Sequence, residues 1–367
     1  TGAVSSRLSR NVRQLQLNID VPLLNDTSAP HSGIGRLSAN FNIETQNLSD
    51  AGALWTFGGA LNWFPVRAVG FILSGTSEQG APTLDQLGGP VLATPNVRIY
   101  DIARDQVVDV TEVSGGNRDL RNDHRDVVRL GMNLRPFTQK DLTFRFDYVE
   151  QHIDHPIIAF PIVSPQIEAE FPDRFVRDAT GRLTQIDVRP INLYESRQRK
   201  LRWGVSFTKA LGAVPPGMAD GRIRIPQSQL GQMTQQPDGS FTFQPTPGSA
   251  FALSLTNAAS RFYISLYHSW YLEDSLRLRS GQPALDLTNG DAVDVQGGRR
   301  RHEIDFQAGV FKQGLGGRLS AHWQSGTEID GEDGAGDRLR FGDFATVDVS
   351  LFANLAERFG GANAPAW

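Results

Sequence analysis

The sequence predicts an all-β chain whose strands are long enough to cross a bilayer. Three observations carry that reading. Apolar and polar residues alternate in eleven separate segments, many of those segments reach about ten residues, and short connections between them alternate with long ones. Successive side chains of a strand point to opposite faces, so a period of two belongs to strands and not to a helix face.

The first segment is Gln14–Val21, where Leu15, Leu17, Ile19 and Val21 alternate with Gln14, Gln16, Asn18 and Asp20. The pattern returns at Leu37, Ala39, Phe41 and Ile43, at Trp55, Phe57, Leu61 and Trp63, and at Val69, Phe71 and Leu73. It continues at Val128, Leu130, Met132 and Leu134, then at Leu142, Phe144, Phe146 and Tyr148, and at Leu201, Trp203, Val205 and Phe207. Near Arg261–Tyr271 both faces carry aromatics and the alternation blurs. The last three segments hold Ile304, Phe306, Ala308 and Val310; Leu319, Ala321 and Trp323; and Val347, Val349 and Leu351. No amphipathic helix of comparable strength is visible.

Length separates the classes that share this alternation. Strands of water-soluble domains are usually five or six residues long, whereas a tilted strand crossing a bilayer needs about nine to eleven. Segments 12–21, 36–47, 53–64, 126–135, 141–150, 200–209, 302–311 and 344–354 fall at the membrane length. The connections add to this. Segments 65–68, 136–140 and 312–316 are short, while 78–125, 151–199, 272–301 and 326–343 are long, as expected where tight turns lie on one side of a membrane and loops on the other. Segment 48–52 is short where a loop is expected. Segment 210–258 is long where a turn is expected, and its Pro, Gly and Gln content reads as a flexible insertion with possible short strands. Trp55, Trp63, Tyr148, Trp203, Trp270 and Trp323 lie near strand ends, where an aromatic girdle meets the headgroups.

Composition sets the outer limits. The 367 residues carry 36 basic and 40 acidic side chains, net −4, with no cysteine. That balance argues against a nucleic-acid partner, and disulfides, thiol chemistry and Cys-ligated zinc are excluded. No stretch approaches the roughly 18 apolar residues of a spanning helix. The chain starts at Thr1, which suggests a processed chain or a fragment.

Three segments resemble the barrel of TonB-dependent outer-membrane receptors. Gly80–Leu87 is similar to the family's Arg-Ala-Pro-x-Leu-x-x-Leu run at the end of an upward strand, with Gly80 in place of Arg. Gly116–Asp123 is similar to the Gly-Asn-Pro-x-Leu-x-Pro-Glu run before a downward strand, with Arg118, Asn122 and Asp123 at the replaced positions. Thr346–Leu351 resembles a strand near the C-terminal end of such a barrel. The resemblance implies a barrel of about 22 strands with a plugged lumen. Eleven strands, an odd count, make about half of it, so residues 1–367 are expected to be a partial barrel without a plug domain and without its final strands.

By that resemblance the function is TonB-energised uptake of a scarce nutrient (a siderophore, an oligosaccharide or a similar molecule) across the outer membrane, with the TonB complex acting through the missing plug. The expected partners are thus the outer-membrane bilayer, the TonB complex and a small or medium-sized ligand. Rival readings are a passive porin-like or secretion barrel and a secreted glycan-binding β-sandwich. No nucleophile elbow or Walker loop occurs, so enzymatic chemistry and cofactors are not expected.

Candidate ligand-binding residues are the polar lumen positions Arg129, Asn133, Arg145 and Asp147. The hairpin at Pro136–Lys140 is expected to set Leu130 opposite Phe146, Met132 opposite Phe144, Arg129 opposite Asp147 and Asn133 opposite Thr143. His152 and His155, with Glu150 and Asp154, read as a solvated loop base in preference to a metal site. The acidic run Asp330, Glu332, Asp333 and Asp337 lacks EF-hand spacing, and the sequons at Asn25 and Asn47 are read as chance.

Overall fold

The computed structural model describes residues 8–24, 34–211, 232–235, 241–244, 261–293, 298–312, 314–330 and 338–353. Eleven strands form one antiparallel sheet in sequence order: β1 (Val12–Leu24), β2 (Arg36–Leu48), β3 (Gly52–Val66), β4 (Val69–Gly80), β5 (Asp123–Leu134), β6 (Asp141–Asp154), β7 (Glu195–Ala210), β8 (Arg261–Arg277), β9 (His302–Lys312), β10 (Leu315–Gln324) and β11 (Phe344–Ala353). Each corresponds to one of the eleven alternating segments, and a two-residue strand, Leu285–Asp286, adds to β8 off this path. Within 210–258, Gln232–Gln235 pairs with Phe241–Gln244 as a hairpin, and the rest of that insertion lies outside the described residues. So do most of the acidic run at 330–337 and the sequon at Asn25.

The sheet has one apolar and one polar face, and the register keeps the apolar rows together. Ile43 faces Leu17 and Phe57, Leu61 faces Ala39 and Leu73, and Met132 faces Phe71 and Phe146. Farther along, Trp203 lies between Phe146 and His268, and Leu319 between Ala308 and Val349. Phe41, Phe57, Leu73, Leu130, Phe146, Trp203, Leu266, Val310 and Val349 are each at least 40 % exposed, so no other protein layer covers this face among the described residues. Water does not tolerate a contiguous apolar surface on this scale, and hydrocarbon does.

The expected register of the β5–β6 hairpin is corrected by two residues. Leu130 faces Tyr148, Met132 faces Phe146, Leu134 faces Phe144, Gly131 faces Asp147 and Asn133 faces Arg145, while Arg129 faces Val149. A two-residue slip leaves every side chain on its expected face. Two features favour the observed pairing. The Arg135 N–H is drawn to Ala68 O in the neighbouring turn at 2.7 Å and Pro136 has no N–H, so the ladder ends at Leu134. Opposite Asp147, Gly131 leaves room for the carboxylate, since a Cβ there would sit 3.3 Å from Asp147 Oδ1.

The long connections do not stay loops. Leu92–Asp101 and Gln106–Ser114, from the β4–β5 connection, join Phe175–Arg177 and Leu183–Asp187, from the β6–β7 connection, in a four-stranded sheet. Its buried core holds Val108, Val110, Ile167, Phe171, Phe175, Leu183, Ile186, Ile191 and Leu193. Leu278, Leu285 and Leu287, from the β8–β9 connection, complete it together with Leu276 of β8. This cap is where the chain has a water-excluding core of its own. The alternation Val-Arg-Ile-Tyr at 97–100 and Val-Val-Asp-Val at 107–110 supplies its inward rows, with Val97, Ile99, Val108 and Val110 turned in.

One arginine ties the cap together. Arg177 Nε and Nη2 bind Glu168 at 2.7 and 2.8 Å, Nη1 and Nη2 bind Asp101 at 2.9 and 3.0 Å, and Nη1 also binds Gly181 O at 2.9 Å. All five guanidinium N–H groups are used. The Arg177 hydrogen bonds hold the buried Asp101 carboxyl below its ordinary value of 3.8.

Two predictions follow from these layers. Phe146→Arg in the full chain should cost roughly 2–4 kcal/mol of folding free energy in bilayers, and Thr143→Arg on the polar face much less; equal costs would reverse the face assignment. For the cap, Arg177→Ala should weaken local stability by about 3–5 kcal/mol because it strands a buried carboxylate. Arg98→Ala should stay within about 1 kcal/mol, because its ion pair with Asp109 is exposed. Hydrogen exchange at Leu183–Asp187 reads both. In the wild type the Asp101 contribution is complete above the unfolded carboxyl value and disappears as pH falls through the depressed folded value.

Candidate functional site

The polar face of β7 to β10 carries a connected set of side chains that ends beneath the cap. The sequence builds it by alternation: Leu201, Trp203 and Val205 point to the apolar side, so Gln198, Lys200 and Arg202 point to the polar one. On β8 the register shifts between Arg199 and Lys200, with Arg199 facing Glu273 and Lys200 facing Tyr271. The extra residue, Leu272, lets Tyr271 and Asp274 share the polar face although they are three positions apart, which unbroken alternation forbids.

Arg202 Nη2 binds Asp305 Oδ2 at 3.1 Å, Nη1 binds Ser269 Oγ at 3.2 Å, and the guanidinium lies 5.0 Å from the Tyr267 ring centre. His322 Nδ1 is 2.9 Å from Asp305 Oδ1. Lys200 Nζ stands 5.1 Å from the centre of the Tyr271 ring, whose hydroxyl donates to Glu303 at 3.4 Å. Arg300 pairs with Glu303 and donates to Gln324 Oε1 at 3.0 Å. Gln198 Nε2 donates to the buried Asp274 at 3.1 Å.

Above this network is a cavity of about 940 Å³. Ser196, Gln198, Tyr271, Asp274 and Gln324 form its polar wall, and aromatic surface comes from Phe160 and Phe341 in the connections and from Phe344 at the start of β11. The cap therefore folds over the polar face, the one that faces the lumen in a closed barrel. Polar groups converging beside aromatic surface can fix the orientation of a ligand while covering its apolar parts. A second cavity of about 660 Å³ lies among the connections, between Arg121, His155, Phe171, Arg174, Tyr194 and Arg279.

The four candidates from sequence lie elsewhere on the same face. Arg129, Asn133, Arg145 and Asp147 sit on β5 and β6, with Arg145 Nε 2.7 Å from Asp147 Oδ2 on its own strand, and none of them lines either cavity. Asn133 faces Arg145, while Arg129 has Ser74 and Val149 as neighbours. The residues that sequence reasoning passed over are Lys200, Arg202, Tyr271, Asp274, Glu303 and Asp305. Their signal was the blurred alternation at Arg261–Tyr271, where Tyr263, Tyr267 and Tyr271 form an aromatic row on the polar side. His152 is a strand residue held between Asp154 (3.1 Å) and Glu195 (3.3 Å), while the His155 ring packs on Tyr194. Among the described residues no group of three or more His, Asp or Glu side chains is placed to hold a metal.

The two segments that resemble receptor motifs meet at the outer end of β4 and β5. Thr83 and Gln86 cap the short helix Leu84–Gly88 reciprocally, and the Asn117 N–H donates to Gln86 O at 2.6 Å. Buried Asn117 also donates to Pro190 O at 2.9 Å, which joins both segments to the β6–β7 connection.

No family model and no curated protein sequence matches the chain. Solved structures do. The ferric enterobactin receptor PfeA of Pseudomonas aeruginosa in complex with BCV-L6 aligns with a TM-score of 0.52 at 12 % identity, covering 96 % of this chain and 39 % of that one. A double mutant of the same receptor aligns with a TM-score of 0.52 at 11 % identity, covering 93 % and 37 %. Its complex with enterobactin, in another mutant, gives 0.50 at 11 % identity, covering 93 % and 37 %. The chain thus spans less than two fifths of the length of these receptors. At such identities the likeness is one of fold: the eleven-stranded sheet of this chain is arranged as in part of the outer-membrane β-barrel of these receptors.

Proposed function

We propose that the chain is part of an outer-membrane receptor that binds a small or medium-sized ligand under its cap and passes it through the barrel. One observation carries the reading. A sheet with an uncovered apolar face has its polar face roofed by a folded cap, and a cavity lined with polar and aromatic side chains lies between them. A glycan-binding sandwich would bury its apolar rows against a second sheet, which speaks against that rival. A passive pore needs an open mouth, and the cap narrows this one. In this reading the cavity wall at Gln198, Tyr271 and Asp274 meets the ligand first, the network from Lys200 to His322 comes next, and lumen residues Arg129, Asn133, Arg145 and Asp147 line the path below.

Energy coupling through TonB and a ferric siderophore cargo are the finer parts of the proposal, drawn from the fold it shares with the ferric enterobactin receptor. Uptake of radiolabelled ferric enterobactin, other ferric chelates, oligosaccharides and peptides by cells carrying the intact protein would be measured with and without a protonophore. Uptake that stops when the proton gradient collapses is the expected result; an unchanged rate would identify a passive channel. Asp305→Asn should leave thermal stability nearly unchanged, because the half-exposed pairs to Arg202 and His322 are each worth about 0.2–1 kcal/mol. The same variant should weaken ligand binding. Unaltered binding would mean the network is not part of the path.

A further inference from the structure

Two histidines meet on the apolar face, away from the cavity and its network. His268 of β8 lies in a cross-strand row with Phe146, Trp203, Ile304 and Trp323, and His302 lies in the next row outward, opposite Trp270. Their rings stack with centres 5.3 Å apart and planes 18° from parallel, and His268 Nε2 is 3.1 Å from His302 Nδ1. Trp203 meets His268 edge-on at 5.5 Å, and Trp270 lies 5.8 Å from His302. The pair is thus held among tryptophans of the apolar face, with His268 inside the band and His302 opening β9 at its cap end.

We propose that His268 and His302 form a binding site for one divalent transition-metal ion, with Cu²⁺ preferred over Ni²⁺ and Zn²⁺. Three features point to it. Two imidazole nitrogens bound about 2.0–2.1 Å from one ion stand roughly 2.9–3.4 Å apart in square-planar or tetrahedral geometry, and the observed separation falls inside that span. The positions are set before any ion arrives, because both residues sit in one hydrogen-bonded ladder and both rings are packed by tryptophans. Small rotations about the Cβ–Cγ bonds turn the two facing nitrogens toward a common point.

The third feature is chemical. His152 and His322 each contact carboxylates, which occupy their nitrogens, whereas the side chains of His268 and His302 contact no polar protein group but each other among the described residues. His302 is partly exposed at the cap end of β9, the side from which water completes the coordination shell. Neutral imidazoles without a competing carboxylate suit Cu²⁺, which heads the affinity order for such ligands. This site does not depend on the transport reading.

The full chain, folded in detergent and stripped with a chelator, would be titrated with CuCl₂ and followed by electron paramagnetic resonance. The expected spectrum shows two equatorial imidazole nitrogens. Affinity should fall by at least about 10–100-fold, the range that losing even an outer-shell partner costs a metal site, in His268→Ala and in His302→Gln, and stay unchanged in His152→Ala. Far-UV circular dichroism and heat-dependent gel migration would confirm that each variant folds. A wild-type spectrum with fewer than two nitrogens, which needs no variant, overturns the proposal, as does undiminished binding in a folded His302→Gln protein. Binding of phosphomonoester lipid vesicles that depends on both histidines, with no nitrogen-coordinated copper, would make this a lipid-headgroup site and overturn it equally.

Discussion

Hydrocarbon offers no partner to a backbone N–H or C=O, so a chain within it must pair every one of those groups itself. The continuous ladder meets that demand for β2 to β10, each of which pairs with both of its sequence neighbours. Once the backbone is satisfied in this way, side chains are free to divide by face. Apolar rows meet lipid, and Arg129, Asp147, Arg202 and Asp305 gather on the other side. Charged residues can sit at membrane depth in this protein because the ladder turns them away from lipid. Their mutual pairing is a lesser matter, as the half-exposed ion pairs show.

Outside the bilayer the logic inverts. The connections leave the ladder and must stabilise themselves in water, so they do what soluble domains do and bury leucine, isoleucine, valine and phenylalanine in a closed core. Arg177 serves in place of a longer hydrophobic interface: one guanidinium joins the helix carrying Glu168, the strand end at Asp101 and the turn at Gly181. The outcome is a roof resting on Leu276, and a cavity whose wall is part strand and part connection.

The strands were legible because alternation is a local signal, written in each segment separately. Even the blurred stretch at Arg261–Tyr271 carried information, since its second aromatic row ends at Tyr271 in the cavity wall. The register of the β5–β6 hairpin was not legible. Slips of two preserve both faces, and the choice between them fell to the Arg135 bond across to Ala68 and the space at Gly131. The cap was hidden for a related reason. Its largest share, Ile167 to Leu193, is spaced irregularly in one connection, and the residues that cover it, such as Val97, Val108 and Leu285, lie in two others, so no single periodic segment announces a core. The cavity-wall residues were missed with it, because Tyr271 and Asp274 share a face only through a bulge.

That division of the cap among three connections bears on the order of assembly. The β6–β7 connection supplies the largest share of the core, but the other two close it, and all three are brought together only when β4 through β9 stand side by side. Contacts so distant along the chain carry a loop-closure cost that the strand ladder must first remove. The cap core therefore closes fully only when the sheet holds all three connections together. Sharing the core along the sequence ties its completion to the strands, and makes a completed cap the mark of a completed wall.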